Sequence, residues 1–441
     1  MATVRRRRLG AGVGAAVVAG VLVAAAVADG QVQWQLQRNQ SRTATTTALL
    51  RRTASLLRTT TASLRGFDAA GDTAQKSMAE VTAELASARQ QLTRAQSGLS
   101  SGDIEVTSVA SCASGVSRSA SELQAGDQAQ AVAALKTVAP VCENILDPGP
   151  GGPVYPFDFA DPDVLLVHGT YYAYGTNSTA GNIQIMESTD LEHWTKEGDA
   201  LPTLPSWATP GSTWAPGVIS LKRTYLLYYT AAAAGSKTQC LSVATARRPA
   251  GPFVDTTKAP LECQPALGGS IDPSPYLGPS GLPYLAWKSI GGDGQPATIW
   301  AQALDRQGTA LAAGHPTALL HPTEPWQGSV VEAPTMTEIG GSWFLFYSGN
   351  NWDSADYAIG VARCAGVLGP CMEPLAEPLL GSESNLEGPG GETVFEDAQG
   401  NLEMAFQAWM PGAVGYPHPR LLFIRPLTVV DGIPRLEPAT G

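Results

Sequence analysis

Short apolar and aromatic runs alternate with stretches rich in glycine, proline and polar residues from about residue 154 onward. The runs read, in order, VLLVHGTYYAYGT, TYLLYYTAA, LPYLAWKS, SWFLFYSGN and LEMAFQAW. Each has the length of one or two β-strands, and the first contains two strands joined by a tight turn. Because the runs recur at roughly fifty-residue spacing, they indicate a radial repeat. The pattern predicts an all-β, five-bladed β-propeller with blades over 157–200, 210–262, 268–325, 329–380 and 388–433.

The preceding segment, residues 31–146, has the pattern of helices. Ala, Gln, Leu, Arg, Ser and Thr dominate it, and apolar residues recur three and four positions apart. We expect an α-helical region that is either a stalk, acting as a spacer or oligomerising element, or a plain helical domain that covers the propeller. Residues 147–153, DPGPGGP, form a linker because proline and glycine end the helix. The propeller domain is therefore predicted over 154–436.

The first thirty residues have the features of a targeting segment. Four arginines, Arg5 to Arg8, precede an apolar run from Leu9 to Val27 that has about the length needed to cross a bilayer. Positive residues stay on the cytoplasmic side, so the pattern favours a transmembrane helix within residues 1–30. The protein is then a single-pass protein of the cell membrane with an extracellular body. A cleaved signal is the alternative, since AVADG offers a cleavage site, and the protein would then be secreted.

Charge and cysteine content narrow the choice of partners and compartment. The formal net charge is −11, which argues against nucleic acid as the partner because phosphate binding needs clustered Lys and Arg. A neutral polymer such as a glycan fits more easily. Six cysteines, an even number, suit an exported protein with disulfides. Proximity along the chain favours three pairs among fifteen possible connectivities: Cys112 with Cys142, Cys240 with Cys263, and Cys364 with Cys371.

Four motifs lie just before, or at the start of, the predicted strands. They are FADPD, WAP, SIDPSP and VEAP, beginning at residues 159, 214, 270 and 331. The inner strands of a propeller start around one end of the central axis, so Asp161, Asp272 and Glu332 are predicted to converge on one pocket. Like charges in a confined site repel and raise one another's pKa. Asp-Pro and Ala-Pro are also ordinary turn dipeptides, so the ordered set, rather than any single motif, favours a functional site.

Glycoside hydrolysis is the chemistry that uses such a set. One carboxylic acid must stay protonated to donate to the leaving oxygen, and another must stay ionised to take a proton from water. A third carboxylate can orient the acid and hold its proton.

The motifs ADPDV, YYAYGT, STDLEHW, WAPGV, SIDPSPY and VEAPTM resemble, in order, the landmarks of glycoside hydrolase family 43 over about residues 156–434. The resemblance implies an inverting arabinanase or α-L-arabinofuranosidase that acts on an arabinose-containing polysaccharide or oligosaccharide. A β-xylosidase or a galactofuranosidase of the same fold is the alternative. Carried over by position, Asp161 is the general base, Asp272 the pKa modulator and Glu332 the general acid. Inversion needs room for a water, so the base and acid carboxyls are expected roughly 6.5–9.5 Å apart.

Three further residues are candidates for substrate binding. We expect Trp214 to stack against a sugar face, Asn350 to lie in a loop at the pocket rim, and Arg420 to reach a substrate hydroxyl, as an arginine near this place does in some relatives. Their alternatives are core packing, a surface turn and a surface ion pair. Many family members have a histidine after the GPG turn of the last blade that binds a central calcium, whereas this chain has Gly391. No cofactor is certain, and a structural Ca²⁺ in the propeller centre stays open.

Other classes of function have less support. A catalytically silent, glycan-binding propeller on a membrane stalk would keep Trp214 without activity, but the presence of all three carboxylates favours an enzyme. An adaptor whose helices do the work is a third possibility. The sequence contains no glycine-rich phosphate loop, serine nucleophile elbow or H-E-x-x-H motif.

Overall fold

A computed structural model describes residues 151–437, apart from 156, 179, 180 and 293, together with seven scattered residues between 115 and 134. Those seven residues are all helical. The rest of the predicted helical region, most of the predicted linker and the predicted transmembrane segment lie outside the described residues. Among the helices that are described, none has the length and apolar character that crossing a membrane requires.

The described part of the chain folds into five antiparallel sheets, each a propeller blade. Blade one contains β1 (Asp163–Val167), β2 (Thr170–Gly175), β3 (Gln184–Ser188) and β4 (Thr195–Asp199). Blade two contains β5 (Ala208–Leu221), β6 (Thr224–Ala233) and β7 (Gln239–Ala246). Blade three contains β8 (Ser270–Leu277), β9 (Pro283–Ser289), β10 (Thr298–Ala303) and β11 (Thr317–Leu320). Blade four contains β12 (Val331–Ile339), β13 (Ser342–Gly349), β14 (Ala358–Cys364) and β15 (Cys371–Met372). Blade five contains β16 (Glu387–Glu396), β17 (Leu402–Trp409), β18 (Leu421–Val430) and β19 (Ile433–Leu436).

The inner strands of the five blades form a closed ring. Strand β1 contacts β5 and β16, β8 contacts β5 and β12, and β12 contacts β16. The segment before β1 also joins the last blade: the N–H of Val154 donates to the carbonyl of Leu422 at 2.8 Å, and the N–H of Phe159 donates to the carbonyl of Arg420 at 2.9 Å. This pairing closes the disc and brings the chain on either side of Arg420 close to the first blade.

The second strand of blades two to five buries most residues on both of its faces, which explains why the apolar runs contain few polar residues. In β13, Phe344 and Phe346 pack with blade five, whereas Leu345 and Tyr347 pack with blade three. Successive strand side chains point to opposite faces, so one run supplies two of the interfaces between blades. Burial of each large side chain contributes roughly 1.5–3 kcal/mol, and this packing stabilises the ring.

The predicted propeller and two of the predicted disulfides are confirmed. All five sheets fall on the predicted blades, with a three-stranded second blade and a fifth blade that extends to Leu436. Disulfides join Cys240 to Cys263 and Cys364 to Cys371. The third predicted pair, Cys112 with Cys142, lies outside the described residues.

Candidate active site

A three-residue unit recurs at the axial end of every blade. Its second residue is proline in blades one to four and Glu392 in blade five. The five units together line a cavity on the propeller axis. The first residue of each unit has a positive φ: Asp161 (52°), Ala215 (44°), Asp272 (57°), Ala333 (50°) and Gly391 (61°).

The positive φ matters because non-glycine residues rarely adopt it, least of all before proline. In blades two to five the unit coincides with a register shift between the inner strand and its neighbour. Such a bulge redirects a side chain, and backbone strain of this kind costs about 1–3 kcal/mol per residue and concentrates at functional sites. In blades one and three the strained position is occupied by a catalytic candidate, Asp161 or Asp272.

The structure brings Asp161, Asp272 and Glu332 together around this cavity. Asp161 and Asp272 line it, and Glu332 immediately precedes the lining residue Ala333, whose N–H donates to Asp272 Oδ2 at 2.9 Å. Burial, together with the charges of Glu332 and Asp161, raises the pKa of Asp272 to about 7, and the nearby Lys288 ammonium opposes this rise. The predicted convergence of the three carboxylates is therefore present in the fold.

Asp161 lies among groups that stabilise a negative charge. The Thr176 hydroxyl donates to Asp161 Oδ2. The backbone N–H of Asp161 donates to Gln407 Oε1. The Arg420 guanidinium lies 4.0 Å from Asp161 Oδ1. Thr176 is itself held in place by the N–H of Ala215, which donates to its hydroxyl oxygen at 3.0 Å. These contacts fix the position of the Asp161 carboxyl at the cavity, where a carboxylate can accept a proton from water.

Glu332 has a different environment, in which each carboxyl oxygen accepts a hydrogen bond from a side chain. Lys288 Nζ lies 2.6 Å from Oε2, and the Tyr357 hydroxyl donates to Oε1 at 2.8 Å. The Lys288 and Glu332 side chains are only 6% and 11% exposed. Burial and the charge of Glu332 raise the pKa of Tyr357, so its hydroxyl keeps the proton that it donates. The carboxyl of Glu332 is thus oriented by two side chains from neighbouring strands and loops.

The three predicted binding residues have different surroundings. Trp214 is half-buried and directly precedes Ala215. In blade two it therefore has the position that Glu332 has in blade four, immediately before the three-residue unit. Asn350 has a φ of 73°; its amide donates to the carbonyl of Trp326 at 3.0 Å and its oxygen accepts from the N–H of Asn351 at 2.9 Å. These bonds hold the loop in shape, so a contact of Asn350 with substrate stays a prediction. Arg420 is 7% exposed and lies beside Asp161.

Comparison with known proteins decides the family. The model of glycosyl hydrolases family 43 matches residues 151–434, well over half of the chain. The chain belongs to glycoside hydrolase family 43. It is accordingly a glycosidase, and the predicted class of enzyme is confirmed.

The relatives of this chain are named for different substrates. The chain is 24% identical to "Extracellular endo-alpha-(1->5)-L-arabinanase 1" of Bacillus subtilis, with 53% of this chain and 76% of that protein covered. It is 26% identical to "Beta-D-galactofuranosidase xynD" of Aspergillus niger, covering 56% and 72%. A solved structure described as endo-1,4-beta-xylanase from Bacteroides thetaiotaomicron is 28% identical, covers 65% of this chain and 96% of that chain, and superposes with a TM-score of 0.57. These likenesses fix the family and the fold, while the named substrates diverge.

The centre of this family 43 propeller does not fit a calcium site built from side chains. A Cβ at Gly391, the place of the histidine that the resemblance implies, would lie 3.0 Å from Asp161 Oδ1 and 3.1 Å from the Gln407 amide, so a side chain there would displace these two neighbours. Within the described residues no group of three or more His, Cys, Asp or Glu is placed to hold a metal ion.

Two other carboxyls at the axis are held by the protein itself. Asp163 Oδ2 accepts the N–H of Val218 at 2.8 Å, and burial raises the pKa of Asp163 to about 7. Ser348 donates to Glu392 Oε2 at 2.7 Å, and burial raises the pKa of Glu392 to about 8. Both side chains connect neighbouring blades, and their raised pKa values favour the neutral carboxyl near neutral pH.

Sequence reasoning missed four residues that contact Asp161 or Glu332, two of the predicted catalytic residues. They are Thr176, Lys288, Tyr357 and Gln407. The signal for Lys288 was visible, because a lysine inside the apolar run LPYLAWKS is buried and needs a partner. Thr176 and Gln407 end or interrupt other apolar runs in the same way. Tyr357 gave no such signal, because an aromatic residue in a loop is compatible with ordinary packing.

Proposed function

We propose that this enzyme hydrolyses α-L-arabinofuranosyl linkages in an arabinose-containing polysaccharide or oligosaccharide, with inversion at the anomeric carbon. Asp161 is the general base, Glu332 the general acid and Asp272 the residue that tunes the acid. The motif resemblance and the endo-arabinanase among the relatives support the arabinose assignment. Hydrolysis of a β-xyloside or a galactofuranoside is the alternative, supported by the relatives with those names.

One observation carries this proposal: Asp161, Asp272 and Glu332, which come from three different blades, meet around one axial cavity. Asp161 receives a hydroxyl hydrogen bond and lies beside a guanidinium, so its negative charge is stabilised. Glu332 is more deeply buried and lies close enough to Asp272 for the two charges to interact. Hydrolysis of a glycoside needs such a pair of carboxyls at one site, one to act on water and one to act on the leaving oxygen.

The reaction follows from these roles. Asp161 takes a proton from a water molecule as the water oxygen attacks the anomeric carbon. The bond from that carbon to the glycosidic oxygen breaks, and Glu332 donates its proton to the leaving oxygen. Each carboxyl ends with the opposite protonation, and exchange with solvent restores both.

Lys288 and Asp272 act in opposite directions on the proton of Glu332. The Lys288 ammonium favours a negative charge on Glu332, whereas a negative charge on Asp272 disfavours it. Lys288 and Glu332 are both buried, and Asp272 lies close enough for its charge to interact with both. We infer that the balance between them sets the alkaline limit of activity.

The proposed setting of the enzyme is outside the cell. The disulfides Cys240–Cys263 and Cys364–Cys371 support export, because disulfides persist in oxidising compartments. We propose that residues 1–30 either anchor the chain in the cell membrane or are cleaved as a signal.

Product analysis tests the proposed function. The full chain is incubated with linear arabinan, arabinoxylan and arabinogalactan, and the released sugars are separated and identified. Release of arabinose or arabino-oligosaccharides, lost in Asp161→Asn and Glu332→Gln, supports the proposal. Release of xylose or galactose alone supports one of the alternatives. Binding to these glycans without any hydrolysis supports a silent glycan-binding propeller and contradicts the proposal.

A further inference from the structure

Two exposed aromatic side chains lie side by side on loops of blades four and five. Trp352 is 36% exposed and Tyr416 is 59% exposed, and their ring centroids are 5.7 Å apart. Among the exposed large apolar side chains of the described residues, these two are the only aromatic ones. Isolated exposed aliphatic residues are common on protein surfaces, but a paired aromatic surface indicates binding.

The pair is rigid because a buried tryptophan supports it. Trp409 is fully buried and stacks on Trp352 with centroids 6.3 Å apart, and it meets Tyr416 edge to face at 6.2 Å. The Trp409 indole N–H also donates to the carbonyl of Trp352 at 3.2 Å. Loop packing alone would explain the buried ring of Trp409, but it does not explain why the two rings in front of it stay exposed.

Arg420 connects this pair to the catalytic base. Its Cζ lies 4.8 Å from the centre of the Trp352 ring, and its Nη2 donates to the Tyr416 hydroxyl oxygen at 3.2 Å. Its Nη1 lies 4.0 Å from Asp161 Oδ1. These contacts place the centre of the Trp352 ring within about 10 Å of Asp161 Oδ1, so a sugar unit on this ring would lie near the proposed base.

The chemistry of the pair suits a sugar. The faces of furanose and pyranose rings present C–H groups that pack on flat aromatic rings, while the tyrosine hydroxyl and the arginine provide polar contacts at the edge. The pair lies on blades four and five, whereas Trp214, the other residue predicted to stack on a sugar, lies in strand β5 of blade two.

We propose that Trp352 and Tyr416 form a second sugar-binding wall, which holds the unit next to the one that is cleaved, and that Arg420 fixes this wall relative to Asp161. The inference rests on the proposed function and makes it more specific: the preferred substrate is an oligosaccharide or polysaccharide rather than a single glycosyl group.

Binding is measured by calorimetric titration of full-length Glu332→Gln with α-1,5-linked arabinotriose, xylotriose and free arabinose. Trp352→Ala and Tyr416→Ala in this background should each raise the Kd of the better trisaccharide about 5- to 50-fold, and raise the Kd of arabinose less. Trp352→Phe, which keeps an aromatic ring, should recover most of the affinity. Met372→Ala, which removes an apolar side chain 75% exposed in blade four, is the matched control and should bind like the parent.

The results separate the wall from the proposed function. Unchanged trisaccharide affinity in both alanine variants overturns the wall, as does failure of the Glu332→Gln parent to bind either trisaccharide. If the unsubstituted enzyme hydrolyses no arabinose-containing glycan, the proposed function fails. The wall is still supported in that case when Trp352→Ala weakens binding of xylotriose.

Discussion

Lys288 is the cation that contacts the proposed general acid, and its replacement by methionine tests the electrostatic balance of the site. Methionine keeps an unbranched apolar stem of similar length, so packing is largely retained while the ammonium 2.6 Å from Glu332 Oε2 is removed. The same ammonium lowers the pKa of Asp272, so that pKa rises when it is lost. Both effects favour the protonated forms of the two carboxyls.

The size of the effect follows from the geometry. An opposite charge within about 4–6 Å shifts a carboxyl titration by about 1–3 pH units. The alkaline limb of the kcat/KM profile should therefore move to higher pH by about 1–2 units in Lys288→Met. The maximum rate should fall at the same time, because Glu332 loses one of the two hydrogen bonds that orient it.

Stability should change with pH in a direction that can be worked out. Without Lys288 the buried carboxyls bind protons more tightly in the folded protein than in the unfolded chain. The stability that such protonated groups contribute is present at low pH and is lost as pH rises through their pKa values in the folded protein. For Asp272 this pKa is about 7 with Lys288 present, and it rises when Lys288 is removed. The deficit of Lys288→Met relative to the unsubstituted enzyme should thus be small near pH 5 and grow above pH 7, towards about 3–5 kcal/mol for an unpaired buried charge.

The assay is kcat/KM against pH with an alkyl arabinofuranoside, whose leaving group needs protonation by the acid, together with thermal melts at each pH. Lys222→Met is the charge-matched control, because Lys222 is exposed and its Nζ donates to the carbonyl of Arg306 on the surface. An alkaline limb that stays in place, or moves to lower pH, would refute the reasoning that Lys288 opposes protonation of the acid.

Three further substitutions probe the axis. Asp272→Asn removes the negative charge beside Glu332, so the alkaline limb should move to lower pH by about 1 unit, opposite to the effect of Lys288→Met. Burial raises the pKa of Glu392 from 4.5 to about 8, so the folded protein loses stability as pH rises from the lower value to the higher one. Thermal melts should show that the stability of Glu392→Gln increases relative to that of the unsubstituted enzyme over this interval. Gly391→Ala would place a Cβ 3.0 Å from Asp161 Oδ1, and kinetics should show kcat lowered about 10- to 100-fold by displacement of the base.

The blades and the three carboxylates could be predicted from sequence because their signals are local. Each apolar run marks strands by itself, and each carboxyl motif precedes its own run. The positive φ of Asp161 and Asp272 could not be predicted, since residues before proline normally avoid this region. The strain becomes tolerable only when five inner strands close into a ring.

Long-range contacts explain the other omissions. Tyr357 and Glu332, which share a hydrogen bond, belong to the same blade. Lys288, the other partner of Glu332, comes from the preceding blade, and no local sequence pattern pairs it with Glu332. Trp352 likewise meets Tyr416 and Arg420 only after blade five packs on blade four. Sequence could nominate such residues, but the geometry of the closed disc decides which of them meet.

The most direct test of the central claim compares Asp161→Asn and Glu332→Gln on two substrates that carry the same arabinofuranosyl group but different leaving groups. An aryl arabinofuranoside with a highly acidic phenol as leaving group needs no protonation, whereas an alkyl arabinofuranoside needs it. If Glu332 is the acid and Asp161 the base, Glu332→Gln should keep most of its activity on the activated substrate and lose about 10²- to 10⁴-fold on the alkyl one, while Asp161→Asn loses activity on both. Equal losses of Glu332→Gln on both substrates, or full activity of Asp161→Asn on either, would contradict the account.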